Sequence, residues 1–157
     1  MLTKRVYNIK SAIEKLKKYC SSAEKCNFDV IQKIKDLGLE DSFQDDILKV
    51  LNEEKFVDEE RFTRAFCRGK FLIKKWGKIK IRIELTKKNI SQTSIKLGFE
   101  EINEEEYLQQ LNNLLKTKKN SLNEKNIFLK KKKIDNFLVT KGYESNLVWS
   151  LLSELKE

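Results

Sequence analysis

The stretch Lys55–Ile90, KFVDEERFTRAFCRGKFLIKKWGKIKIRIELTKKNI, decides how the chain folds. Val57 and Phe62 occupy the two positions of a hydrophobic staple around Asp58, an N-cap residue, and Glu59 and Glu60 suit the first turn of the helix that follows. Phe62, Ala65, Phe66, Gly69, Leu72, Ile73 and Trp76 then recur at i, i+3, i+4, i+7 spacing, which predicts one buried face. Arg61, Arg64, Arg68, Phe71 and Lys75 form a second stripe, left outside that core, whose charge is expected to be dispensable for folding. Such a stripe is either a solvated basic face or a helix side that meets phosphates or an acidic partner, and spacing alone leaves both open.

The same stretch holds the one ambiguous segment. Lys78-Ile79-Lys80-Ile81-Arg82-Ile83-Glu84-Leu85 alternates strictly and, in isolation, reads as a strand. A helix is expected instead, because a lone strand would have no ladder partner and because Ile81 and Leu85 share the phase of two other segments. Counting back eight and four residues from Gly38 gives Val30 and Ile34, from Asn89 gives Ile81 and Leu85, and from Gly142 gives Ile134 and Leu138. An apolar residue follows each stop: Leu39, Ile90 and Tyr143. Glycine and asparagine tolerate the left-handed conformation best, so one helix stop is written three times. Ile79 and Ile83 then need a second surface, expected on a neighbouring module.

A second echo supports repetition. Ile102-Asn103-Glu104-Glu105-Glu106-Tyr107 repeats the staple and cap of Val57-Asp58-Glu59-Glu60-Arg61-Phe62. A period of about 45 to 53 residues predicts an array of helical modules. A first helix is expected from the capping box Ser11-Ala-Ile-Glu14 to near Ser21-Ser22, a second over about Asn27–Leu37, and a third carrying Ile47, Val50 and Leu51. Towards the C-terminus a helical hairpin is expected, its second helix showing Phe128, Leu129, Ile134, Phe137 and Leu138 inward. Leu147, Val148, Leu151 and Leu152 form the apolar face of the last helix, and Trp76 and Trp149 are read as packing between modules.

Composition limits the chemistry. The 157 residues include no proline and five glycines, which favours helices over turn-rich β architecture. With 39% hydrophobic and 36% charged residues the chain is globular, and its formal charge of +9 favours an anionic partner. No apolar run is long enough to span a membrane, the N-terminus lacks the apolar core of a signal peptide, and Cys20, Cys26 and Cys67 are odd in number. A cytoplasmic protein with reduced, buried or half-buried thiols is expected. Histidine is absent, which removes Ser-His-Asp and Cys-His catalysis and mixed Cys/His zinc sites. Adjacent carboxylates such as Asp45-Asp46 diverge by about 100° on a helix and cannot share one substrate bond. No catalytic residue, cofactor or metal is expected.

These residues also carry a resemblance. Phe56-Val57-Asp58-Glu59-Glu60-Arg61-Phe62, Gly69-Lys70-Phe71, and Lys75-Trp76-Gly77-x-x-Lys80-Ile81-x-x-x-Leu85-x-x-Lys88-x-Ile90 resemble the signature of the RecX family, regulators of the bacterial recombinase RecA. Tyr19-Cys20 with Glu24-Lys25, Leu37-Gly38, Tyr107-x-x-x-Leu111 and Phe137-Leu138-x-x-Lys141-Gly142-Tyr143-Glu144 extend the likeness through almost the whole chain. The chain departs from the family pattern at Asn89, mostly glycine, at Thr63, usually small and apolar, and at Lys25, commonly arginine.

The resemblance implies an all-α fold of three tandem three-helix repeats, residues 1–55, 56–102 and 103–157, in an elongated, curved array. It also implies a non-enzymatic regulator that lies in the groove of the RecA filament on single-stranded DNA and restrains ATP hydrolysis and strand exchange. The expected partners are that filament and DNA phosphates, single-stranded first and double-stranded as a further option, met by a monomer. The charge stripe nominates Arg61, Arg64, Arg68, Lys70, Lys75, Lys78, Lys80 and Arg82 as contacts, with Lys130, Lys131, Lys132 and Lys133 as a secondary patch. The alternative is a helix-turn-helix DNA reader acting as a transcription or nucleoid factor, although no Asn or Gln stands beside Lys78, Lys80 and Arg82 to read base edges.

Overall fold

The computed structural model describes the backbone of residues 2–156 and the side chains of residues 9–156. Among the described residues there are nine α-helices and no strand: α1 Leu2–Ser22, α2 Asn27–Asp36, α3 Gln44–Glu53, α4 Glu59–Leu72, α5 Lys78–Lys87, α6 Gln92–Phe99, α7 Glu104–Ser121, α8 Ile127–Thr140 and α9 Ser145–Leu152. A single 3-10 turn, Asp41–Phe43, leads into α3.

The three helix stops form alike. Gly38, Asn89 and Gly142 have φ of 74°, 60° and 100°. The next residue in each case donates its N–H back into the helix, Leu39 to Ile34 at 3.3 Å, Ile90 to Leu85 at 3.1 Å and Tyr143 to Leu138 at 3.1 Å. The left-handed residues themselves donate to Lys35, Thr86 and Val139, which completes three Schellman turns. A fourth closes α3, where Lys55 has φ 63° and Phe56 N–H donates to the Leu51 carbonyl at 2.9 Å. The starts are equally regular. Asp58 accepts from Arg61 N–H at 2.9 Å and Asn103 from Glu106 N–H at 3.0 Å, while the staple pairs Val57/Phe62 and Ile102/Tyr107 are buried.

The alternating segment is helix α5. Ile81 and Leu85 are fully buried, and each such side chain contributes roughly 1.5–3 kcal/mol of burial. Ile79 and Ile83 are 44% and 49% exposed, so the expectation that a neighbouring module covers them is corrected. Alternation over 79, 81, 83 and 85 in a helix simply places Ile81 and Leu85 on one side and Ile79 and Ile83 on the opposed one.

Four further expectations are corrected. In α4 the buried residues are Phe62, Thr63, Cys67 and Phe71, whereas Leu72 and Ile73 are 60% and 77% exposed. The helix is turned so that Thr63 and Cys67 meet α6 at Gly98, where a Cβ would stand 2.8 Å from both side chains. A reading that treated threonine and cysteine as neutral missed this face. The capping box at Ser11 lies inside α1, because nothing upstream breaks a helix. Phe128 and Leu129 face outward, since Ile134 and Leu138 alone set the buried side of α8. Trp149 is 42% exposed rather than packed between modules.

Two cores result. Leu16, Cys20, Val30, Ile34, Ile47, Leu51 and Val57 enclose one within α1–α3 and the start of α4's staple. A second is continuous from Phe62 and Phe71 through Ile81, Leu85 and Ile95 to Tyr107, Ile134, Tyr143 and Leu152, so α4–α9 share it, and Cys26 reaches into it from the head of α2. The first three helices join the rest through ion pairs as well: Arg61 with Glu24 at 2.7 Å, and Lys88 with Asp29 at 2.5 Å.

Candidate nucleic-acid interface

The junction of α5 with the α8–α9 turn fixes the basic surface. Gly77 N–H donates to the Lys141 carbonyl at 2.8 Å and Ile79 N–H to that of Gly142 at 3.0 Å. The Tyr107 hydroxyl accepts from Lys78 N–H at 3.1 Å and donates to Glu144 at 2.6 Å, and the Tyr143 hydroxyl donates to the Lys75 carbonyl at 3.0 Å. The two tyrosine rings lie 5.2 Å apart. Burial, with the Glu144 contact, raises the Tyr107 phenol far above its ordinary range, and burial pushes Tyr143 up to about 12.

On this frame the eight nominated cations separate by partner. Arg61 pairs with Glu24 and donates to the Lys55 carbonyl. Arg64 pairs with Glu60 at 3.0 Å, Glu100 at 3.3 Å and Glu101 at 3.4 Å, and Arg68 pairs with Glu101 at 3.0 Å. The Glu24 hydrogen bond raises the Arg61 pKa, and the Glu60 hydrogen bond raises that of Arg64. Lys78 pairs with Glu104 and stands over the Tyr107 ring at 4.7 Å. Arg64 and Arg68 are therefore tied to the acidic segment that links α6 to α7, and Arg61 to Glu24 between α1 and α2.

Among the described residues the others have no carboxylate partner. Lys70 stands over the rings of Phe66 and Trp76 at 5.3 and 4.9 Å, and Lys80 over Trp76 at 4.5 Å. Arg82 donates to the Gln92 side chain at 2.9 Å and covers Phe99. Lys75 is exposed on a backbone with φ 59°. Sequence reasoning missed two neighbours of this group, Lys74 and Lys141, the latter donating to the Lys74 carbonyl at 3.5 Å. Their signal was available only as the separate motifs that carry Trp76-Gly77 and Lys141-Gly142, which no spacing rule connects.

In the secondary patch Lys133 pairs with Glu124 at 3.0 Å, and Lys130 lines a shallow hollow with Lys125 and Glu124. Cys20, Cys26 and Cys67 are buried free thiols, and burial pushes Cys26 up to about 11 and Cys67 up to about 12. No group of three or more metal-ligating side chains gathers among the described residues. No helix among them is long and apolar enough to cross a membrane.

Fold and surface define the class: an all-helical repeat protein that presents cations over aromatic rings. Residues 58–96 match the family described as RecX, second three-helix domain. The chain is 22% identical over 112 residues to regulatory protein RecX of Bacillus cytotoxicus and 23% identical over 112 residues to that of Bacillus cereus. Each match covers 71% of this chain and 42% of the relative, so the chain spans less than half the length of these curated relatives. A crystal structure of regulatory protein RecX superposes with a TM-score of 0.84 at 20% identity, covering 94% of this chain and 74% of that one. The crystal structure of RecX from Lactobacillus salivarius gives 0.80 at 17% identity, covering 96% and 97%. The chain thus resembles the RecX family in residues 58–96 and shares the fold of the RecX crystal structures.

Proposed function

We propose that the protein is a non-enzymatic regulator that binds the RecA filament on single-stranded DNA and inhibits its ATPase and strand exchange. The observation that carries this reading is a coincidence of position. The segment matched to the second three-helix domain of RecX, residues 58–96, contains all eight nominated cations, Arg61, Arg64, Arg68, Lys70, Lys75, Lys78, Lys80 and Arg82. We propose the same eight as the contact set, Lys130 to Lys133 as a second, weaker patch, and residues 1–55, 56–102 and 103–157 as the three repeats. A row of helical modules suits a filament groove because it meets protein and phosphate along one path.

The test is the single-strand-dependent ATPase of the cognate recombinase. Substoichiometric protein is expected to slow it, with inhibition weakening as salt rises. An unchanged rate in molar excess at low salt would overturn the proposal.

A further inference from the structure

We infer that Lys70, Lys74, Lys75, Lys80 and Lys141, gathered around Trp76, form a binding site for the phosphodiester backbone of single-stranded nucleic acid. The inference rests on the nucleic-acid part of the proposed function and is independent of the recombinase. Lys70, Lys74, Lys75 and Lys80 run from the end of α4 through the turn into α5, and the fold adds Lys141 from the α8–α9 turn. Among the described residues none of them pairs with a carboxylate, although Arg61, Arg64, Arg68 and Lys78 in the same stretch of chain all do. Lys75 shares a hollow with Glu105 and Glu106 but forms an ion pair with neither. Like charges gathered with no carboxylate in ion-pair contact are relieved by a polyanion, of which a chain of phosphates matches several at once.

Two observations favour an unpaired strand over a duplex or an acidic protein. Trp76 and Phe66 meet edge to face at 6.5 Å within the cluster, both partly exposed, and a shallow hollow beside them is lined by Phe66, Gly69, Lys70, Ile73 and Lys74. Aromatic surface among cations is what unstacked bases use, whereas a duplex keeps its bases to itself. The backbone of Lys75 is also held left-handed at φ 59° by the turn and by the Tyr143 hydroxyl on its carbonyl. That conformation is unfavourable for a residue with a Cβ, and it keeps Lys75 at the exposed rim.

The test is fluorescence anisotropy of a labelled oligo-dT with the full chain and no recombinase, with Trp76 emission followed in a Trp149→Phe background. Direct, salt-sensitive binding and a change in Trp76 emission are expected. Lys70→Gln with Lys80→Gln should weaken binding on the order of tenfold and lower the salt slope by roughly two. Lys116→Gln with Lys118→Gln, the same charge change on α7 outside the proposed contacts, should weaken it by less than about threefold. Equal losses in both pairs, or unchanged Trp76 emission at saturation, would overturn the site. Should the lysine pair fail to fold, the Trp76 signal alone decides. No oligonucleotide binding by a protein that still inhibits the recombinase ATPase would overturn this site and leave the proposed function standing. A lysine variant that keeps full oligonucleotide affinity but loses ATPase inhibition would mean that the cluster faces protein, and the inference fails.

Discussion

Gly77 and Gly142 meet backbone to backbone, so closely that a Cβ built on Gly77 would stand 2.3 Å from the carbonyl of Gly142. A Cβ on Gly142 would stand 2.3 Å from that of Lys80, on a residue that already has φ 100°. Neither neighbour is a flexible side-chain tip. Gly77→Ala is therefore expected to destabilise the protein by roughly 2–3 kcal/mol and Gly142→Ala by more, because the left-handed penalty of about 1 kcal/mol adds. Gly69 lies in helical α4 with nothing within 4 Å of its missing Cβ, so Gly69→Ala should stabilise by about 0.5–1 kcal/mol. Urea unfolding of the three variants checks the order.

Asn89 keeps φ 60° inside a Schellman turn that its relatives in this chain make with glycine. Asn89→Gly should be neutral or stabilising by roughly 0.5 kcal/mol, and Asn89→Val destabilising by ~1–2 kcal/mol. Equal melting temperatures for all three proteins would contradict the left-handed cap.

Asp29 links α2 to the end of α5. Burial opposes its ionisation, but Lys88 at 2.5 Å and the Cys26 N–H at 3.1 Å outweigh it and hold the carboxyl below its usual range. A depressed folded pKa means that the stabilisation is complete above the unfolded value of about 3.9 and is lost as pH falls towards the folded value. Lys88→Met should destabilise by roughly 1.5–3 kcal/mol at neutral pH, and the gap to wild type should narrow below about pH 4. A gap independent of pH in thermal melts would exclude Asp29 as the partner that matters.

The thiols give an alkaline counterpart. Cys26 is pushed up to about 11 and Cys67 to about 12, chiefly by burial, so the fold holds their protons more tightly than the unfolded chain does. Their contribution is complete below the unfolded value of about 8.5 and declines as pH rises towards the folded values. Stability should therefore fall between about pH 9 and 11. Native protein should release little thiol to a disulfide reagent at pH 8, and denatured protein all three. Fast labelling of the native chain would show Cys26 and Cys67 to be accessible.

What was legible in the sequence was written locally. The stops at Gly38, Asn89 and Gly142 and the caps at Asp58 and Asn103 depend on residues within one turn of each other, and all five appear in the structure. The left-handed Lys55 and Lys75 carried no signal, since lysine has no special tolerance for that conformation and only the surrounding turn imposes it. The burial of Thr63 and Cys67 depends on Gly98, 35 residues from Thr63 by chain number, and was equally invisible. Charge type was readable in the candidate surface but charge pairing was not, because Glu100 and Glu101 reach Arg64 and Arg68 only once α6 lies against α4.

The abutment of α5 on the α8–α9 turn bears on how an anion can be met at all. A helix offers a phosphate its first free N–H groups at the positive end of its dipole. At α5 those of Gly77 and Ile79 are already taken by the carbonyls of Lys141 and Gly142, so the negative end of α8 is neutralised by the positive end of α5. The two macrodipoles run head to tail and cancel at the junction, leaving no directional main-chain pocket for an anion there. Any phosphate that approaches is left to flexible ammonium groups, which grip without regard to base identity and can slide from one phosphate to the next.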